Sequence, residues 1–201
     1  RQAVAAIRQR LLDPLGLERT VFQPDERTPR DAAHGHFWGG GDIYYDQTGS
    51  SRVLPHRSAS TVAWAAGAMA STPTDLARWA AALYDGDVLS DASRDAMLTF
   101  RRKDAYGLGA RTRVFAGHRA VGHLGGIRGY ELAMWFFPDV GASVVVLTNR
   151  GLFSTDKTVK LLAKALFREL DRNPVAPTPS PSSPSPSPAA PVPSPSPIPA
   201  A

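Results

Sequence analysis

Two short apolar runs near the middle of the chain constrain its fold more than any other feature. Residues 131–137 and 142–148 are rich in aromatic and β-branched side chains, which at this length favour strands over helices. Between the runs, Pro138 can start a turn and Gly141 can take a positive φ. The sequence therefore predicts an antiparallel hairpin that is buried well enough to lose strict alternation.

The segment before this hairpin combines a histidine with several glycines. Residues 122–130 read Gly-His-Leu-Gly-Gly-Ile-Arg-Gly-Tyr. Because glycine weakens a strand, this many glycines indicate that another group approaches the backbone closely. His123 is the candidate functional side chain, since an imidazole can hold a carboxylate or transfer a proton. Taken alone, such a histidine is more often structural.

Apolar residues at helical spacing predict helices on both sides of these strands. They indicate one helix over 3–12, a second over 75–84 and a C-terminal one over 155–171. Thr74 is the expected N-cap of the second helix, and Gly86 stands where its C-terminal cap would fall. The expected buried face of the C-terminal helix consists of Val159, Leu162, Ala163, Leu166 and Leu170.

Shorter elements are expected between the second helix and the hairpin. Ser90 could cap a helix reaching about Phe100. Residues 106–113 and 114–118 are interpreted as short strands or an extended entry to the hairpin.

These elements predict an α+β fold in one domain over 1–172. An antiparallel sheet built from about 105 to 149 is packed by the C-terminal helix, and 1–100 form a helical and irregular region that includes a long excursion over 18–60. From 173 to 201 the chain is almost wholly Pro, Ser and Ala. Such a tail is expected to be extended and disordered.

Composition narrows the class of protein. The chain has 201 residues, no cysteine and a net charge of +5 from dispersed basic residues, which argues against a disulfide framework and against nucleic-acid binding. No apolar run is long enough to span a membrane. The first residue is Arg1, without an initiator methionine or a signal segment. We therefore expect that the chain begins inside a longer or processed protein.

The order of several segments resembles the penicillin-recognising serine hydrolases, in particular the class C β-lactamase and DD-peptidase branch with its esterase relatives. The segments are Leu-Leu-Asp-Pro-Leu-Gly-Leu (11–17), Gly-Ala-Met-Ala-Ser-Thr-Pro-Thr-Asp-Leu-Ala-Arg-Trp (67–79), Tyr-Gly-Leu-Gly (106–109), Gly-His-Leu-Gly-Gly-Ile-Arg-Gly-Tyr (122–130) and Val-Val-Val-Leu-Thr-Asn (144–149). The resemblance covers residues 1 to about 172 and implies part of a β-lactamase/transpeptidase-like fold in an extracytoplasmic protein, with no cofactor and no metal.

The resemblance also implies roles for individual residues. His123-Leu124-Gly125 matches the family's third motif, the His-x-Gly variant of Lys-Thr-Gly, on the strand that lines the active site. By position, Gly126 would offer its backbone N–H to an oxyanion hole, where glycine lets substrate reach the donor. Leu124 and Tyr130 would contact a small-molecule or peptide substrate.

The family's other two motifs, Ser-x-x-Lys and Tyr-x-Asn, are expected before Arg1. Without them the chain alone would be inactive, and the missing N-terminal half of the same protein is a possible partner. The alternative is a non-catalytic relative that binds cell-wall peptide or a partner. A weaker idea is that Ser154 and Lys157, which do form Ser-x-x-Lys, replace the missing pair. It requires Ser154 near Gly126, and a helix cap is the commoner role of such a serine.

The excursion over 18–60 holds two further sets of candidates. The possible metal ligands are His34, His36 and Asp42, although a solvent loop is the commoner meaning of such a set. The aromatic residues that could line a cleft, or simply pack the loop, are Trp38, Tyr44 and Tyr45.

Overall fold

The computed structural model describes residues 2–23, 25–38, 44–46, 62–101, 105–127 and 129–174, without the side chains of 37, 38 and 44–46. Its helices are α1 (Gln2–Ile7), which continues as a π-helical stretch over Arg8–Leu12, α2 (Pro73–Tyr84), α3 (Asp91–Met97) and α4 (Thr155–Arg172). Its strands are β1 (Val21–Phe22), β2 (His36–Trp38), β3 (Tyr44–Asp46), β4 (Met69–Ala70), β5 (Arg111–Phe115), β6 (His118–Ile127), β7 (Tyr130–Phe137) and β8 (Ala142–Thr148). The predicted tail lies outside the described residues from 175 onwards.

The largest sheet is an antiparallel meander in the order β5-β6-β7-β8. The predicted hairpin is confirmed as β7 and β8, paired from Glu131↔Thr148 to Phe137↔Ala142. Gly141 has φ +62°, the left-handed conformation expected for it. The other two sheets are the short pairs β1-β4 and β2-β3.

Apolar side chains cover both faces of the meander, so the strands read as continuous apolar runs. On one face α4 packs over a cluster whose centre is the fully buried Trp135, with Ala133 and Val159. On the other face α2 packs over Val121 and Phe136. The predicted α+β fold with the C-terminal helix on the sheet is confirmed. The second helical layer, formed by α2 on the other face, was not predicted.

Three local expectations are wrong. The segment 114–118 is not one strand, because Ala116 (φ +52°) and Gly117 (φ +89°) form the tight turn between β5 and β6. Leu162 is 44% exposed, and Phe167 takes the buried position on α4, next to His118 and Phe137. The cause is the helical period. Val159 and Ala163 define the buried face of α4, which continues at 166–167 and 170, and residue 162 lies beside this face and points to solvent.

The third correction concerns the start of α2. The N-cap is Thr72, not Thr74, and its hydroxyl accepts a hydrogen bond from the N–H of Asp75. Pro73 then occupies the first helical position, where its missing N–H costs nothing. At the other end Gly86 follows the cap and donates to the carbonyl of Ala81 at 3.0 Å, as its predicted place implies.

Asp75 ties α2 to the N-terminal region. Its carboxylate is 4% exposed and accepts hydrogen bonds from the N–H of Arg19 (3.0 Å) and the hydroxyl of Thr20 (2.9 Å). We expect Asp75→Ala to lower the free energy of unfolding by about 2 kcal/mol, because the N–H of Arg19 then loses its partner and the Thr20 hydroxyl keeps only Ser71. Urea unfolding followed by tryptophan fluorescence measures this loss. Asp91→Ala is the control, since the exposed Asp91–Arg94 pair contributes less than about 1 kcal/mol.

The ion pair between Arg8 and Glu26 makes the free energy of unfolding depend on pH. Arg8 donates to both carboxylate oxygens of Glu26 at 2.5 and 2.7 Å, and the N–H of Phe22 donates to the same group at 2.8 Å. These bonds hold the pKa of Glu26 below its usual range. The stabilisation is therefore present above the unfolded-state pKa of about 4.3 and is lost as the pH falls through the folded-state value.

We expect Glu26→Gln to be less stable than the wild type at neutral pH and to lose less stability than the wild type on acidification. Urea unfolding at a series of pH values between 7 and 3 provides the comparison. Arg8→Met should flatten the acid limb in the same way, because it removes the cation that lowers the pKa. An unchanged acid limb in both variants would contradict the assignment.

Candidate active site

One end of strand β6 is paired on one side only. Its register with β5 ends at Arg111↔Gly122, whereas its register with β7 continues to Ile127↔Tyr130. Among the described residues, those from His123 to Ile127 therefore have a neighbouring strand on the β7 side and none on the β5 side. This open edge carries the predicted His123-Leu124-Gly125 motif and Gly126.

The register also fixes where the backbone groups at this edge point. Ile127 and Tyr130 close a two-residue hairpin, so they form a hydrogen-bonded pair, and such pairs alternate with non-bonded ones along an antiparallel ladder. Gly126↔Glu131 is consequently a non-bonded pair, whose N–H and C=O groups point away from the partner strand. The N–H of Gly126 is thus directed to the open edge, as an oxyanion donor would have to be.

Gly125 and Gly126 leave β6 without side chains at this point. A Cβ on Gly126 would lie 2.7 Å from a carboxylate oxygen of Glu131, and a Cβ on Gly125 would lie 3.0 Å from the Leu132 side chain. Gly126 is exposed. A ligand can therefore approach the backbone at Gly126 without meeting a side chain of this residue.

His123 is held by hydrogen bonds at both ring nitrogens. Its Nε2 lies 2.9 Å from the hydroxyl oxygen of Tyr106, and its Nδ1 is hydrogen-bonded to the carbonyl of Leu124. The two rings meet edge to face with centroids 5.6 Å apart. The sequence singled out His123 but not Tyr106, although Tyr106 lies in the Tyr-Gly-Leu-Gly segment.

Tyr84 lies near this pair but belongs to the core. Its ring is 5% exposed and stacks on Phe136 with centroids 6.1 Å apart. Burial, with a smaller contribution from nearby Tyr106, raises the pKa of Tyr84 to about 12. Tyr84 therefore stays neutral at physiological pH and is unsuited to proton transfer.

A shallow cavity of about 330 Å³ opens beside the glycines of β6. It is lined by Leu124, Gly125, Gly126, Glu131, Leu132 and residues 153–156 at the start of α4. Ser154 and Gly126 therefore border the same cavity, and the idea of a Ser154–Lys157 pair stays a prediction. Ser154 is the N-cap of α4, but its side chain makes no capping hydrogen bond. Lys157 is exposed and does not line the cavity.

Tyr130 lies at the turn between β6 and β7. Its hydroxyl donates to the carbonyl of Ala33 at 3.0 Å, and its ring lies so close to Gly35 that a Cβ there would be 2.4 Å from Cε2. The segment 34–36 is in turn joined to the chain after β8, because the N–H of His36 donates to the Asn149 carbonyl at 2.7 Å. A role for Tyr130 in substrate binding stays a prediction.

The structure describes only some of the remaining candidate residues in the excursion over 18–60. Asp42 and the side chains of Trp38, Tyr44 and Tyr45 lie outside the described residues, although the backbone pairs Trp38 with Tyr44 between β2 and β3. No three His, Asp or Glu side chains come together as a metal site in the part of the chain that is described. None of its helices is long and apolar enough to cross a lipid bilayer.

The chain resembles an amidase, a penicillin-binding protein homologue and a curated hydrolase. Over 83% of its length it matches D-amino acid amidase from Ochrobactrum anthropi SV3, with a TM-score of 0.67 and 25% identity, and it covers 52% of that enzyme. An octameric penicillin-binding protein homologue from Pyrococcus abyssi shares the fold, with a TM-score of 0.65, 22% identity and coverage of 83% of this chain and 37% of that one.

A curated relative, the unguisins hydrolase ungD' of Aspergillus campestris, is 28% identical over 179 residues. This match includes 83% of the chain but 33% of the relative. The chain thus spans about a third of that hydrolase and about half of the amidase. The family model described as Beta-lactamase matches residues 1–168, and with the sheet, the helical layers and the His-x-Gly strand in place, we conclude that this chain belongs to the β-lactamase family.

Proposed function

We propose that residues 1–172 form the C-terminal part of a serine hydrolase domain that cleaves an amide or ester through an acyl-enzyme. The observation that carries this proposal is the open edge of β6, where the N–H of Gly126 points away from β7. A preorganised N–H at such an edge stabilises the oxyanion of a tetrahedral intermediate. The similarity to an amidase over half of that enzyme's length supports the same reaction class.

In this proposal the nucleophilic serine, its lysine and the tyrosine of the other two motifs lie before Arg1. Gly126 supplies an oxyanion donor, His123 and Gly125 stand beside it on the catalytic strand, and Leu124 and Tyr130 border the substrate. The substrate is a small molecule or peptide, since the amidase was solved with L-phenylalanine amide. An extracytoplasmic location is part of the same proposal, supported by the Pro/Ser-rich sequence after residue 173.

The mass of the intact chain after incubation with a fluorescent penicillin and a nitrophenyl ester provides the test. We expect no adduct on residues 1–201 and one adduct, on an upstream serine, in the natural protein that contains them. An adduct on the chain itself that is lost in Ser154→Ala would overturn the upstream nucleophile in favour of Ser154. A folded natural protein that takes no adduct would overturn the hydrolase proposal in favour of the non-catalytic binding module.

A further inference from the structure

We propose that Tyr106 holds His123 in one tautomer, with the proton on Nδ1, and thereby excludes substrates that need a cation or an N–H donor at this position. The inference deepens the proposed function, because it concerns which acyl compounds the same site accepts. It depends on two hydrogen bonds, from Tyr106 to His123 and from His123 to Leu124. Tyr106 acts in it as a positioning residue.

The tautomer follows from what each partner can do. A backbone carbonyl only accepts hydrogen bonds, so the bond between Nδ1 of His123 and the Leu124 carbonyl requires the proton on Nδ1. A neutral imidazole carries one N–H, so Nε2 has a lone pair and no proton. The Tyr106 hydroxyl, 2.9 Å away, must then donate its proton to Nε2. Both ring nitrogens are occupied, and neither offers a hydrogen to a ligand.

Backbone contacts on both sides of Tyr106 fix the position of its hydroxyl. Tyr106 forms an isolated antiparallel bridge with Arg111, the first residue of β5, and the Arg111 guanidinium lies 5.2 Å from the centre of the tyrosine ring. The next residue, Gly107, donates to the Ala110 carbonyl at 2.8 Å and lies so close to Met97 that a Cβ would be 2.1 Å from its carbonyl oxygen. The position of the ring is therefore set by the fold and not by a ligand.

The consequence for substrates is electrostatic. A carboxylate is bound well by a cation or by free N–H donors, and a buried or half-buried carboxylate without them loses its hydration uncompensated. His123 in the neutral tautomer offers neither. His123 itself therefore does not attract a carboxylate next to the reacting bond, and this residue should favour amides and esters without a carboxylate there over penicillins and peptides that carry one.

The tautomer can be measured without any enzymatic activity. We expect a long-range ¹H–¹⁵N correlation spectrum of the ¹⁵N-histidine-labelled chain, recorded at pH 8, to show His123 with the proton on Nδ1. Tyr106→Phe should raise the share of the Nε2-protonated form, because only the Leu124 carbonyl then favours the proton on Nδ1. Tyr84→Phe, which removes a neighbouring hydroxyl from the core, should leave the ring unchanged. His123→Gln identifies the signals. A wild-type ring protonated on Nε2, or one unaffected by Tyr106→Phe, would overturn the proposal.

The substrate preference is measured on the natural protein with a matched pair of acylating agents, benzylpenicillin and its methyl ester. We expect the wild type to react faster with the ester, and His123→Lys to shift the ratio by about tenfold or more toward the free acid, because a charged hydrogen bond to the carboxylate becomes available. A wild type that prefers the free acid would overturn the preference. Failure of both reagents and of the nitrophenyl ester to react would instead contradict the hydrolase function, and the tautomer would still be decided by the spectrum.

Discussion

Replacing Gly122 by alanine is expected to lower the free energy of unfolding by more than about 4 kcal/mol, a large part of the stability of an ordinary domain. A Cβ at this position would lie 1.9 Å from the carbonyl oxygen of Met134 and 3.0 Å from the Cα of Trp135. Both atoms belong to the backbone of β7, so no side chain can rotate away. Strands β6 and β7 would have to separate at the centre of the sheet.

Urea unfolding followed by tryptophan fluorescence provides the measurement, since Trp135 lies in the affected pair. Gly141→Asn is the matched control: Gly141 also lies in the meander, but a Cβ at this position would have no atom within 4 Å, and asparagine accepts its φ of +62°. We expect a loss below about 1 kcal/mol for this control. Similar losses for the two variants would show that the strand contact is not the cause.

Replacing Gly126 by proline is expected to slow acylation of the natural protein by about 10² to 10³, the usual effect of removing one oxyanion donor. Proline lacks the N–H, and this N–H is not needed by the ladder because it points to the open edge. Stability should therefore change less than the rate does. The rate of labelling by an activated ester, with thermal unfolding as the check on folding, measures both.

Gly126→Ala separates the lost donor from the added bulk. Alanine keeps the N–H, and its Cβ meets the carboxylate of Glu131, the far end of a flexible side chain. We expect its labelling rate to fall by less than about tenfold. If alanine and proline slow the reaction equally, the bulk at this position is responsible, and Gly126 is not the donor.

The hairpin and the C-terminal helix could be predicted because their signals are local. The runs 131–137 and 142–148 carry β-branched and aromatic residues on both faces, and the turn between them uses Gly141 as expected. The helix start at Thr72 was missed although Pro73 marks the first helical position. The turn at Ala116 could not be predicted, since alanine rarely takes a positive φ.

In the candidate site, too, some residues could be predicted from the sequence and others could not. His123 and Gly126 stand in one short motif, so the sequence and the family resemblance were enough to select them as candidates. The partner Tyr106 is separated from His123 by the whole of β5 and its turn, and only the register Arg111↔Gly122 brings the two rings together. The cavity formed by β6 and the start of α4 depends on packing across the sheet and has no sequence signal.

Because β5 begins only at Arg111, its length decides how many residues of β6 have no neighbouring strand on that side. Each pair of residues added to the front of β5, with the register kept, would cover one more outward-pointing residue of β6, first Leu124 and then Gly126. The length of the open edge of β6 is thus set by the length of β5, about 7 Å for every two residues. Residues that lengthen β5 before Arg111 would thus shorten the open edge of β6, and deletions from the front of β5 would lengthen it.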